Sequence, residues 1–298
     1  MKKILLFITI LTFSAAASAQ ESFSFSSVDK YTFGKISKED LLRNDYTLSA
    51  PADAIVLDEY VRIMPSMLDI EAFINRGRLS PMILREVVAR KIKILTDNSV
   101  ANSKISIPLK YNSATDCENS EAYSVRAYSY TLKNDKIVKK ILKPANITRR
   151  EFADGSACLE FEIPNVKKGS IIEYGYTKAI ITQNLQYTRT MQENLPKLKS
   201  QYMVVLNTQH ADLFDIATLN DNTTYIESDN IRFNYTQSYA RGTHTAELHQ
   251  QITSNWSGPR GKKRETHNDK FISKIYQASN SSDIESGAGV VITVKIDK

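Results

Sequence analysis

Two cysteines and four histidines carry the most reactive side chains in this sequence, and their spacing decides what chemistry is open to them. A cysteine nucleophile needs a base within hydrogen-bond reach of its thiolate. Cys158 follows the turn Asp154-Gly155, and Cys117 sits in the polar stretch 112–121. Neither has an adjacent histidine or an evident helix start to lower its pKa. His210, His244, His249 and His267 all lie downstream. His244 and His249 stand five positions apart, which puts them on different faces of a helix and on opposite faces of a strand, so they do not form a local metal pair. No glycine-rich phosphate loop and no paired-cysteine motif occurs. The expectation is a chain with no catalytic residue, cofactor or metal.

The same cysteines have a structural alternative. In an oxidising compartment a Cys117–Cys158 disulfide would stabilise the fold by on the order of 4 kcal/mol in the chain-entropy description. Bonded or free, both states stay open from the sequence. Tyrosines offer another surface. Tyr128, Tyr130 and Leu132 share one strand face, as do Ile172, Tyr174 and Tyr176. Packing is the simpler role, because the ring buries well while the hydroxyl keeps a polar partner. If exposed, Tyr128, Tyr130, Tyr174 and Tyr176 would make a binding surface for a glycan or an extended peptide.

The elements that must position these residues are strands. In 147–177, Leu159, Phe161 and Ile163 alternate with Glu160 and Glu162, the period of a strand with one dry face. Asp154-Gly155 and Lys168-Gly169 read as two hairpin turns. Asn134-Asp135 turns a strand ending at Leu132 back into Ile137–Leu142. Residues 54–63 form the first strand. Residues 83–95 are ambiguous: Leu84, Val87, Val88, Lys91, Ile92 and Leu95 fall at helical spacing behind Ser80-Pro81, whereas a long strand would be returned by 104–109 after a turn at Asp97-Asn98. Ser37-x-x-Asp40 has the spacing of a helix N-terminus, with a bare loop cap preferred to a turn or two of helix. Beyond 206, short strands are expected at 224–226, 231–235, 245–252 and 290–296, and one or two helical turns at 270–277.

Lys2 and Lys3, an apolar run from Ile4 to Phe13 and Ala17-Ser18-Ala19 make a secretory leader over 1–19. The run is too short for the roughly twenty residues of a membrane span. Gln20, not cysteine, would follow the cut, so no lipid attachment site is expected, and residues 20–53 form a lead. Losing Lys2 and Lys3 takes the formal charge from +6 to +4. An exported chain of that mild charge is not expected to meet nucleic acid. The cluster Arg260-Gly261-Lys262-Lys263-Arg264 looks like a solvated loop, with contact to anionic lipid or an acidic polymer as its functional alternative.

Several stretches together resemble domain-of-unknown-function family 3857. They are 89–97 with Ile105-Ser106-Ile107-Pro108, Tyr128–Leu132, Ile147–Glu151, Leu159–Pro164 and Val166–Tyr174, in order over 56–206. The resemblance implies an exported bacterial β-sandwich that precedes a transglutaminase-like domain, and it tips 83–95 toward strand. The stretch Asn184–Tyr187 departs from the family's aromatic segment in lacking a tryptophan. The sequence to Lys298 is too short to supply the transglutaminase-like domain or its Cys, His and Asp, so no catalytic residue is carried over. The expected fold is all-β: an immunoglobulin-like or larger antiparallel sandwich with few short helices, 54–206 as its main body and 207–298 completing it or forming a small second unit. The expected function is a non-catalytic, periplasmic or secreted binding module for an envelope protein, peptide or polysaccharide, without membrane insertion. The alternative is an accessory subunit of a separate transglutaminase-like peptidase or cross-linking enzyme.

Overall fold

The computed structural model describes residues 31–46, 51–67, 80–109, 119–191, 195–219, 224–239, 257–258, 261–278 and 288–295. Apart from α1 (Lys38–Leu42) and short 3₁₀ segments, the regular elements are strands. In chain order they are β1 (Ala54–Met67), β2 (Met82–Ile94), β3 (Lys104–Leu109), β4 (Asn119–Lys133), β5 (Lys136–Ile141), β6 (Thr148–Glu151), β7 (Ala157–Glu162) and β8 (Ile171–Thr182). Then come β9 (Gln186–Thr190), β10 (Ser200–Asn207), β11 (Phe214–Thr218), β12 (Thr224–Tyr239), β13 (Ser257–Gly258), β14 (Gly261–Ala278) and β15 (Gly289–Val294).

The fold is an all-β sandwich. One layer is a nine-stranded sheet in the order β12-β14-β10-β1-β2-β8-β4-β5, with β13 on β14. Two three-stranded sheets, β3-β7-β6 and β11-β15-β9, supply the other layer. The core shows how they meet: Val61, Val88, Ile172 and Val204 of the large sheet pack with Ile107 and Phe161 of one small sheet and with Phe214 and Ile292 of the other. Each fully buried aliphatic side chain of this kind contributes about 2 kcal/mol. Thus β12 and β14 extend the large sheet beyond β10, while β11 and β15 cover it.

Sequence expectations and structure differ at instructive places. Of residues 83–95, all but Leu95 are strand, paired along both edges with β1 and β8. That pairing overrides the helical spacing, because a strand flanked on both sides and buried on both faces has no need of alternation. The turn at Gly169 has the positive φ of 84° that glycine accepts readily, yet it does not close a hairpin. β7 joins β3 and β6, whereas β8 joins β2 and β4. With both edges of β8 occupied, β7 crosses to the other layer. β3 likewise returns to β7 and not to β2. One pair, β1 with β10, is parallel, a departure from a wholly antiparallel sandwich. Residues 270–277 are part of β14, held between β10 and β12, and the two segments expected at 224–226 and 231–235 are one strand, β12. Lys262–Arg264 lie in β14, Lys262 opposite Ser257 of β13 and Lys263 and Arg264 opposite β12, and not in a loop. Arg260, the leader over 1–19 and the strand expected at 245–252 lie outside the described residues.

Candidate functional site

The hairpin of β4 and β5 forms one end of the large sheet. Asn134 and Asp135 both have positive φ, 48° and 63°, the signature of a two-residue turn whose twist suits antiparallel strands. The register runs from Lys133 opposite Lys136 to Tyr128 opposite Ile141. In such a hairpin alternate residues bond to the neighbour strand. The Leu142 N–H donates to the Ala127 carbonyl at 2.9 Å, which fixes the phase. Lys136, Val138 and Lys140 therefore bond inward to β4, and Ile137, Lys139 and Ile141 turn their backbone N–H and C=O groups out from the sheet edge.

Side chains along β5 match that openness. Five of its six residues are exposed and Val138 is half-buried. Ile137 is 42% and Ile141 60% exposed, unusual for isoleucine in a strand. Lys139 Nζ lies 3.6 Å from the centre of the Tyr128 ring, a cation–π contact that holds the stem flat on the sheet. Lys38 of α1 pairs with Asp135 at the turn, so the segment 31–46 braces the hairpin without covering its edge strand. α1 exists because the Ser37 side chain accepts from the Asp40 N–H while the Asp40 carboxylate accepts from the Ser37 N–H. The bare loop cap preferred from the sequence is in fact a capped helical turn.

Two sets of ionisable groups lie inside the molecule. On the face toward the second layer, the Glu59 carboxylate accepts from Arg90 Nε at 2.5 Å, Lys197 Nζ at 2.8 Å and Ser200 Oγ at 2.8 Å. Arg90 also donates to the Tyr174 hydroxyl at 3.2 Å. Burial alone would raise the pKa of Glu59, but Arg90 and Lys197 outweigh it and hold it at about 2. A carboxylate so saturated is no base at neutral pH. Nearby, Glu86 accepts from the Tyr187 hydroxyl and lies 3.9 Å from Arg189 Nε.

On the opposite face, Glu173 accepts from the Tyr31 hydroxyl at 2.7 Å, the Gly34 N–H at 2.8 Å and the Tyr130 hydroxyl at 3.1 Å. Burial raises its pKa, against the pull of these donors and of Lys91. Lys93 Nζ donates to the carbonyls of Leu41 at 2.6 Å and Gly169 at 3.0 Å, and burial lowers its pKa to about 8. These contacts pin residues 31–46, including buried Tyr31 and Leu41, across the outer face of the sheet. Within the expected lead 20–53 this stretch is a structural strap, a role the sequence did not announce.

The proposed tyrosine surface is not one surface. Tyr174 and Tyr176 belong to the core between layers, whereas Tyr130 lies on the outer face beneath Leu41. Tyr130, Tyr174 and Tyr176 are all buried and Tyr128 is half-buried. Burial raises the pKa of Tyr130 and Tyr176. The Tyr130 hydroxyl donates to Glu173 and the Tyr174 hydroxyl accepts from Arg90, so the four rings do not share one exposed stacking face. Cys158 is a buried free thiol in the central strand β7, opposite Pro108 and Arg150; Cys117 lies outside the described residues. His210 precedes a 3₁₀ turn after β10, His267 lies in β14 opposite Tyr235, and His244 and His249 lie outside the described residues. Among the described residues no three His, Cys, Asp or Glu converge on a point that could hold a metal, and no helix is long and apolar enough to cross a membrane.

No family model matches the chain, and no curated protein matches it. Among solved structures it is similar to a protein from Parabacteroides distasonis described provisionally as a protease, with 10% identity and a TM-score of 0.44 over 83% of this chain and 41% of that one. It is also similar to an M1 zinc metallopeptidase from Deinococcus radiodurans, with 9% identity and a TM-score of 0.30 over 74% of this chain and 42% of that one. The chain thus spans less than half the length of either, and at these values neither activity passes to it.

Proposed function

We propose that this chain is a non-catalytic, exported interaction module that binds an extended segment of an envelope protein or peptide by strand addition to β5. The observation that carries this reading is the exposed edge of β5, where Ile137, Lys139 and Ile141 turn outward backbone groups that no strand among the described residues pairs. An edge of this kind can accept one more strand through main-chain hydrogen bonds, with side-chain contacts adding selectivity. The two edges of the β3-β7-β6 sheet are less suited: β3 carries Pro108 and β6 has four residues. Burial of the tyrosines removes support for a polysaccharide partner and favours a polypeptide. Export rests on the leader pattern over 1–19, and the resemblance of 56–206 to domain-of-unknown-function family 3857 agrees with it.

The test compares capture from envelope extract by the wild-type protein and by Ile137→Pro and Ile141→Pro. Each substitution deletes one outward N–H and spares the bonds to β4. Proteins retained by the wild type and lost from both folded variants support the reading. Equal recovery by all three contradicts it. A transglutaminase-like chain among the β5-dependent partners would assign the accessory role.

A further inference from the structure

We infer that the segment taken up by β5 is acidic, with its carboxylates and apolar residues in a set order; the inference rests on the strand-addition reading above. β5 reads Lys136-Ile137-Val138-Lys139-Lys140-Ile141. Its register with β4 puts Ile137, Lys139 and Ile141 on the outer face of the sheet with Tyr128 and Tyr130, and Lys136, Val138 and Lys140 on the other face. A strand added alongside continues both faces. An antiparallel partner is then best matched by apolar, acidic, acidic, apolar, apolar, acidic, reading from the residue opposite Ile141 to that opposite Lys136. Directly opposed pairs of opposite charge, and apolar pairs between them, are the contacts that stabilise neighbouring strands.

Three observations favour this occupant. Lys136, Lys139 and Lys140 are exposed, and among the described residues none has a carboxylate within ion-pair distance. Lys133 and Lys143 flank the strand, so the local field favours an anionic partner before contact. The lysines also exclude self-association: a centred pairing of the outward residues with a second copy sets Lys139 against its own counterpart, and edge lysines are a recognised guard against such pairing. A membrane of anionic lipids fits less well. Lys139 projects to one face and Lys136 and Lys140 to the other, whereas a flat surface meets one face.

Fluorescence anisotropy tests this with the whole mature protein and labelled peptides containing Ile-Glu-Glu-Val-Val-Glu, the same peptide with Gln for Glu, and the acidic peptide with alternate backbone nitrogens methylated. The acidic peptide should bind roughly tenfold more tightly than the Gln peptide, the order that three exposed ion pairs supply. Added salt should shrink the difference. Lys136→Glu/Lys139→Glu/Lys140→Glu should invert the preference toward a peptide with Lys at the Glu positions. Equal binding of the acidic and Gln peptides overturns the charge inference and leaves strand addition standing. Binding of the acidic peptide that survives methylation overturns strand addition itself. Sedimentation with phosphatidylglycerol vesicles, without peptide binding, overturns the inference in favour of a lipid surface. Failure of both peptides to bind, with capture still dependent on β5, overturns the sequence preference alone.

Discussion

Replacing Glu59 by Gln would leave Arg90 and Lys197 inside the sandwich without their counter-charge. Lys197 and Glu59 are both fully buried, 2.8 Å apart. Losing one partner of such a pair costs about 3 kcal/mol or more, because the remaining charge stays desolvated. Urea unfolding of Glu59→Gln should show that loss, and a midpoint equal to the wild type would show the network to be dispensable. Lys93 makes a second prediction. Folded Lys93 gives up its proton near pH 8, whereas the unfolded side chain holds it to about 10.5. Between those values the unfolded chain binds more protons, so rising pH favours the fold. The stability of the wild type relative to Lys93→Met should therefore grow from pH 8 to pH 10, as followed by thermal melting at each pH. A flat difference would place Lys93 in a more open setting. Neither group was legible beforehand. Glu59 and Lys93 look like ordinary polar positions of amphipathic strands, and only the pairing of distant segments brings Lys197 and Gly169 to them.

Elements were legible where local chemistry decides them. The Asn134-Asp135 turn, the strand 54–63 and the cap at Ser37 each rest on a few adjacent residues, and each stands where the local pattern put it. What local chemistry cannot say is which strand lies beside which. The Gly169 turn reverses the chain but hands it to another sheet, and 270–277 becomes strand only because β10 and β12 occupy both of its sides. Close pairing also leaves marks at single positions. A Cβ on Gly289 would stand 2.5 Å from the Arg189 carbonyl oxygen, where β15 meets β9. Gly289→Ala should force those backbones apart and cost about 2 kcal/mol, with faster amide exchange in β9 and β15 and little change in β1 and β2. Uniform loosening across the molecule would contradict so local an origin.

At the scale of the whole molecule, the described residues divide into a buried interior between the layers and the exposed edge strand β5. Glu59, Glu173 and Lys93 inside it are held by partners that tie layers and strap together, while among the described residues no strand pairs with the outer edge of β5 and its lysines are exposed. That division was half visible in the sequence. An all-β body follows from strand periodicity and turn spacing, but the place of β5 at an edge does not, because a strand shows itself as an edge only when its neighbours are known. The lysines at 136, 139 and 140 stand out less in the sequence than the denser basic run at 260–264, most of which lies in a paired strand. Amide hydrogen exchange across the whole chain, with and without the acidic peptide, tests the account most directly. Slowed exchange at Ile137, Lys139 and Ile141, with the edges β3 and β6 unchanged, is the predicted result; protection that appears elsewhere and leaves those three amides exchanging freely would contradict it.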